Sequence, residues 1–219
     1  MMIASRHGNF PVKTGDKIAG TRIIPLVIEE EKMQKACEVA GKEPIFQILP
    51  YQKKKAGIVT TGSEVYYHRI EDKFTPVVID KLKECGVTEV KQIQCNDDHE
   101  MITEAIQTLI EDGFDLIVCT GGMSVDPDDR TPLAIKNACT EVVTYGAPVL
   151  PGAMFMLAYC EKEGRQIPIM GLPGCVMYAK RTIFDLVLPR IMCDEKLHEK
   201  DARQKDAYED GIYTKEEYI

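Results

Sequence analysis

No stretch of the 219-residue chain approaches the roughly 18 to 20 consecutive apolar residues that a membrane-spanning helix needs. The opening segment, Met1 to Gly15, has no basic stretch followed by an apolar core, as a secretory signal would. Positive charge is not in excess either: 27 Lys and Arg stand against 35 Asp and Glu, a net charge of −8. Nucleic-acid grooves depend on neutralising phosphates, so DNA and RNA are poor partners, and a cytoplasmic protein with no membrane contact is expected. The eight cysteines, at 37, 85, 95, 119, 139, 160, 175 and 193, form no CxxC pair, and the four histidines show no HxxxH or HExxH spacing. Single thiols scattered through apolar stretches behave as small buried hydrophobes in a reducing compartment; this argues against both a disulfide framework and a zinc site. GxGxxG and GxxxxGKS are also absent. What remains, 44% hydrophobic and 28% charged, is the composition of a globular protein, long enough for one full domain with an appendage or two small domains.

Three regions differ in texture. Residues 1–50 read as a β-rich segment with a connector helix, and as part of a truncated domain. Turn signals stand at His7-Gly8-Asn9 and Thr14-Gly15-Asp16, a strand is expected over Arg22 to Ile28, and a helix from Glu29 to about Ala40, stopped by Gly41. Residues 51–190 alternate strand and helix. Ala56 to Thr60, Val87 to Cys95, Asp115 to Thr120, Glu141 to Thr144 and Ile167 to Leu172 read as strands. A helix capped by Thr75 with Pro76 at its first position is expected to stop at Gly86. The next carries Ile102, Ala105, Ile106, Leu109 and Ile110 on one face, and another begins at Thr131-Pro132. Ala153 to Cys160 reads as helical up to Gly164, and Val176 to Leu188 as a helix closed by Pro189. Such alternation implies a mostly parallel sheet covered on both faces, with ligands beyond the carboxyl ends of its strands. Residues 191–219 read as a polar C-terminal tail, either a peripheral helix or frayed.

Three loops leave those strand ends: Thr60-Thr61-Gly62-Ser63-Glu64, Thr120-Gly121-Gly122-Met123-Ser124 and Leu172-Pro173-Gly174. Glycine lets backbone amides turn toward a ligand, and such amides with Ser and Thr hydroxyls suit a phosphate. Each loop alone is equally a tight turn; convergence on one edge is the stronger signal. Glu64, Asp97, Asp98, Asp126, Asp128 and Asp129 gather near them. Carboxylates beside a phosphate make sense when Mg²⁺ bridges the two, and helix capping is the rival reading, above all for Asp97 and Asp98. Ser124 lies one residue from a G-x-S-x-G elbow, but Asp126 replaces the last glycine and only His198 lies downstream. Met123, Met154, Met156, Met170 and Met177 read as core filling.

Thr60 to Glu64, Asn96-Asp97-Asp98, the run from Asp115 to Pro132, Pro151-Gly152 and Gly171 to Gly174 together resemble the molybdopterin-binding domain of molybdenum cofactor biosynthesis proteins, over about Ala56 to Pro189. The segment Gly15 to Ile28 is similar to what precedes this domain in relatives of molybdopterin molybdenumtransferase. The resemblance, which extends to molybdopterin adenylyltransferase, implies a three-layer α/β/α sandwich. It implies binding of molybdopterin, a pterin phosphate, or of its adenylylated form, with Mg²⁺ as cofactor and molybdate as a further partner. By motif, Thr61, Gly62, Ser63 and Glu64 would line the pocket, Gly121, Gly122 and Ser124 would hold the phosphate, and Pro151, Gly152, Pro173 and Gly174 would shape the far wall. Asp98 and Asp129 would hold the metal and, with Glu64, serve the chemistry. Relatives associate as dimers or trimers, so a homo-oligomer is expected.

The departures carry information too. The family's longer first loop ending in Asp-Ser-Asn is replaced by Tyr66 to Phe74, Cys175-Val176 replaces an Asn-Pro, Ala153-Met154 replaces a Lys-Pro, and Asp126 replaces a glycine. The resemblance is read as molybdenum insertion, with adenylylation the nearest enzymatic neighbour; the shortened first loop and Cys175-Val176 favour the alternative of a non-catalytic pterin carrier or sensor, and a nucleotide pyrophosphohydrolase-like relative is the other alternative.

Overall fold

The computed structural model describes residues 2–202. The chain divides into two units, Met1–Pro50 and Tyr51–Ile219.

In the first unit, β1 (Met2–Ser5) pairs antiparallel with β2 (Ala19–Arg22), Met2 opposite Arg22. The turn at Thr14-Gly15 forms as its residues suggest: the Lys13 amide donates to Asp16 Oδ2 (2.9 Å) and the Asp16 amide returns to the Lys13 carbonyl. The strand expected over 22–28 does not form. Only Arg22 is in a strand and residues 24–27 bend, because Pro25 removes an amide from the run. Helix α1 (Glu30–Ala40) ends at Gly41 with φ 74°, and none of its residues is buried.

The second unit runs β3 (Lys55–Thr61), α2 (Ser63–Tyr66), α3 (Phe74–Glu84), β4 (Glu89–Cys95), α4 (His99–Glu111), β5 (Leu116–Thr120), α5 (Thr131–Ala138), β6 (Glu141–Tyr145), β7 (Met156–Lys162), β8 (Arg165–Leu172), a 3₁₀ turn (Gly174–Met177), α6 (Ile183–Met192) and α7 (Glu199–Ala202). One six-stranded sheet has the order β4-β3-β5-β8-β7-β6. The pairs β3–β4, β3–β5 and β5–β8 are parallel, and β7 lies antiparallel to both its neighbours.

Strand residues alternate between two apolar layers. Ile58, Leu116, Val118 and Met170 pack with Val78 and Leu82 of α3 and with Phe184, Val187 and Ile191 of α6. Val59, Ile117, Cys119 and Ile169 pack with Ile102, Ile106 and Leu109 of α4 and with Ala134 and Ile135 of α5. This is the three-layer α/β/α sandwich. Gly57 belongs to the close approach of α4: a Cβ there would come within 2.7 Å of Leu109 and 2.9 Å of Ile117.

Three sequence expectations change. The helix expected over Ala153 to Cys160 does not form; from Met156 the chain is strand, and β7 turns through Glu163 (φ 53°) and Gly164 (φ 75°) straight into β8, with Lys162 opposite Arg165. Two successive positive φ values make the tight turn that matches strand twist. A six-residue apolar run by itself fits a buried strand as well as a buried helix. Secondly, α6 starts at Ile183, where Thr182 and Asp185 form a reciprocal cap, and it passes through Pro189 to Met192. Thirdly, Thr75 does not cap α3; Asp72 Oδ1 accepts the amides of Phe74 and Thr75 at 3.0 Å each.

Beyond residue 190 the chain stays attached as far as the described residues go. Arg190 pairs with Glu195 (2.8 Å) and Asp201 (3.0 Å), and buried Leu197 donates its amide to the Tyr159 hydroxyl at 3.0 Å. The rest of the expected tail, 203–219, lies outside the described residues. Among the described residues no helix is long and apolar enough to cross a membrane.

Candidate functional site

Because β4, β3, β5 and β8 are parallel, their carboxyl ends and the loops that follow them share one edge of the sheet. The β3 and β5 ends are adjacent there, Thr60 beside Thr120. Short contacts lock the two loops together. The Thr61 hydroxyl donates to the Thr120 carbonyl (3.2 Å) and meets the Thr131 hydroxyl (3.1 Å), tying β3, β5 and the start of α5. Gly121, at φ 87°, passes so close that a Cβ would stand 2.3 Å from the Thr61 carbonyl oxygen, and at Gly122 it would stand 2.8 Å from Thr131 Oγ1. The loop is pinned below by Met123, 3% exposed, which fills the space above Gly171: a Cβ on that glycine would lie 2.5 Å from Met123 Cε.

A cleft of about 580 Å³ opens at this edge on the face covered by α3 and α6. Its floor is Thr60, Thr61, Thr120 and Gly121. One wall comes from the α2–α3 connection, with Val65, Ile70 and Phe74 beside Glu71, Asp72 and Lys73; Met177 and Tyr178 close the other part. Thr60 and Thr120 share the face of Ile58 and Val118, two residues earlier on their strands. The two hydroxyls differ. Thr60 Oγ1 meets Thr75 Oγ1 and Gln92 Nε2, both at 2.8 Å. Thr120 Oγ1 has no partner, although Thr120 is 1% exposed, and it is the one buried side-chain nitrogen or oxygen so placed among the described residues.

The polar wall is preorganised. Gln92 Nε2 reaches from β4 to Asp72 Oδ2 (2.8 Å), Thr60 and Thr75, while Asp72 Oδ1 caps α3. Partial burial alone would raise the Asp72 carboxyl; hydrogen bonds from Thr75, Gln92 and the Phe74 amide outweigh it and hold the group below the usual carboxylate range.

Of the residues singled out by sequence, Thr61 and Gly121 line the cleft. Gly62 (φ 131°) precedes α2 with nothing within 4 Å of where a Cβ would stand, Ser63 donates its amide to Asp97 Oδ2 (2.9 Å), and Glu64 is exposed. Ser124 gives both its amide and, at 2.8 Å, its hydroxyl to Asp129 Oδ2, so these two form a clasp within the β5 loop. Asp98 caps α4, accepting the amides of Glu100 (2.8 Å) and Met101 (3.2 Å). Pro173 precedes the 3₁₀ turn that Gly174 begins. Pro151 and Gly152 lie beyond β6, at the far end of the sheet, where Gly152 packs on Ile183.

Thr60 and Thr120 belong to the strand-end loops read from the sequence; the cleft residues that sequence reasoning did not assign to the site are Val65, Ile70, Glu71, Asp72, Lys73, Phe74 and Tyr178, together with Met177, expected as core filling. Asp72-Lys73-Phe74 ends the stretch that replaces the family's loop to Asp-Ser-Asn, and that departure is the available signal.

The donor set offers Mg²⁺ little by itself. Asp98 follows β4 and Asp129 follows β5, with β3 between, which sets the strand axes roughly 10 Å apart. Each carboxylate is already engaged, Asp98 with the amides of Glu100 and Met101 and Asp129 with the amide and hydroxyl of Ser124, and no group of three metal-ligating side chains exists among the described residues. Asp98 and Asp129 would hold Mg²⁺ only together with phosphate oxygens and water.

Comparison with known proteins places the chain. It is 36% identical over 85 residues to CinA-like proteins of Mycobacterium sp. (strain MCS) and Mycobacterium tuberculosis; the match spans 39% of this chain but only a fifth of those relatives' length. Its fold superposes on the tungsten cofactor synthesizing protein MoaB of Pyrococcus furiosus with a TM-score of 0.51 at 19% identity, covering 64% of this chain and 92% of that one. A molybdopterin biosynthesis protein of Mycobacterium abscessus gives 0.50 at 17% identity, covering 64% and 92%. The family described as a probable molybdopterin binding domain matches residues 57–192, from within β3 to the end of α6. With more than half its length so matched, the chain belongs to the molybdopterin-binding domain family of molybdenum cofactor biosynthesis.

Proposed function

We propose that the chain binds molybdopterin or its adenylylated form in the cleft at the carboxyl edge and serves the insertion of molybdenum, with molybdate as a second substrate. The observation that carries this reading is Thr120: a buried hydroxyl left unpaired costs about 1–3 kcal/mol, a cost that a ligand acceptor on the cleft floor removes. The surroundings suit a flat, polar-edged ring. Val65, Ile70, Phe74 and Met177 provide apolar wall, while Thr60, Thr120 and Asp72 provide polar groups held in place. The chain's part is positioning: Gly121 and Gly122 let the β5 loop pack directly on Thr61 and Thr131, and the Ser124–Asp129 clasp fixes the same loop, so the cleft floor is held in place for the ligand. Magnesium enters this reading with the ligand, since phosphate oxygens and water would have to supply most of its coordination. A homo-oligomer remains part of the proposal.

The test is Thr120→Val, which removes the hydroxyl at nearly constant shape. Thermal unfolding is expected to be unchanged or shifted upward, because an unpaired buried polar atom is lost. Affinity for molybdopterin, followed by the fluorescence of the oxidised pterin, is expected to fall about 5- to 10-fold, the worth of one hydrogen bond. Undiminished affinity would remove the cleft floor from the reading.

A second reading has one specific observation behind it, the 36% identity to CinA-like proteins. It assigns the same edge to cleavage of a dinucleotide or sugar nucleotide, and release of a mononucleotide by the purified chain would favour it.

A further inference from the structure

Two cleft residues lie outside every strand-end motif loop and bring chemistry that the floor lacks. Lys73, the residue before α3, is exposed and lines the cleft, and among the described residues its ammonium meets no acid. It is the one cation among the lining residues, beside two carboxylates, Glu71 and Asp72. Asp72 is occupied with the amides of Phe74 and Thr75 and with Gln92. Tyr178 also lines the cleft and is 83% exposed. Its backbone is fixed, because its amide (3.1 Å) and that of Ala179 (2.9 Å) both donate to the Cys175 carbonyl.

A lone exposed tyrosine needs no explanation. One held on an ordered turn and lining the same apolar-walled cleft as an unpaired ammonium can share a guest with it, the ring face from one residue and the charge from the other. We infer that Lys73 and Tyr178 form a clamp at the cleft mouth: the Tyr178 ring lies against a planar heteroaromatic ring, and the Lys73 ammonium pairs with that ligand's phosphate. The inference rests on the pterin reading above and adds two residues that set affinity and select phosphorylated over unphosphorylated ligand. Stacking on an exposed aromatic tolerates different rings, so selection falls to the charge. The expected charge effect weakens as salt rises.

The test is equilibrium titration of the full chain with an oxidised pterin phosphate and with the same pterin lacking phosphate, read by pterin fluorescence. Tyr178→Ala is expected to weaken both ligands about tenfold, and Tyr178→Phe to retain binding because the ring remains. Lys73→Met is expected to weaken only the phosphorylated ligand, about 3- to 10-fold at low salt, with the difference vanishing at high salt. Both positions are exposed, so circular dichroism and melting temperature should not move. If the parent chain binds and either Tyr178→Ala or Lys73→Met leaves its titration unchanged, the clamp is overturned while the pterin reading stands. If the parent chain binds neither pterin, both fall.

Discussion

Gly121 combines two constraints that single residues rarely meet together. Its φ of 87° suits glycine, and the space where a Cβ would go holds the Thr61 carbonyl oxygen at 2.3 Å. Backbone cannot yield there as a side-chain end could, so Gly121→Ala should cost on the order of 2 kcal/mol and disturb the cleft floor. Gly174→Ala is the matching control, with nothing within 4 Å and no positive φ, and it should stay within about 0.5 kcal/mol of the parent. Urea unfolding of the two variants checks this; equal destabilisation would show that the β5 loop can move away from β3. Thr120 is the opposite case, a residue whose removal should help the fold and harm the ligand, and the two substitutions together separate stability from binding at one edge.

At the scale of elements, the connection between α2 and α3 does more than join helices. Asp72 caps α3 with one oxygen and receives Gln92 from β4 with the other, so the cap, the edge strand and the cleft wall share one carboxylate. Its pKa lies below that of an unfolded-chain carboxylate because these hydrogen bonds outweigh burial. A depressed pKa contributes stability above the unfolded value, near 3.9, and that contribution is lost as pH falls through the folded value. Melting temperatures of the parent and Asp72→Asn should therefore differ at pH 6 and converge as pH drops below about 4. A gap that persists at low pH would assign the effect to something other than charge.

This connection also marks where sequence reading stopped. The parallel core was legible because Ile58, Val118 and Ile106 recur at strand and helix periods, and the motif loops because Gly and Thr cluster at strand ends. The β7 strand was not, because Phe155 to Cys160 is uniformly apolar and the Glu163-Gly164 turn is a weak signal. Nor were Lys73 and Tyr178, since a cleft wall assembled from residues 105 positions apart leaves no local pattern. Asp98 and Asp129 were legible as carboxylates near a phosphate site, but an acid that ties down amides looks the same in sequence as one awaiting a cation.

Across the second unit, both apolar layers are built from residues between 56 and 197. A chain starting at Tyr51 should accordingly unfold in one cooperative transition with the parent's main melting temperature, measured by calorimetry; loss of that transition would mean that the first unit supports the sandwich. The packing of Met123 over Gly171 links distant parts of the sequence in a different way. The two positions hold one fixed volume between the β5 loop and β8, so bulk added at 171 is tolerable only if it is subtracted at 123. Across relatives, the two sites should then co-vary, small residues at one accompanying large ones at the other, and an alignment read for that exchange would trace the history of the cleft's floor without reference to any ligand.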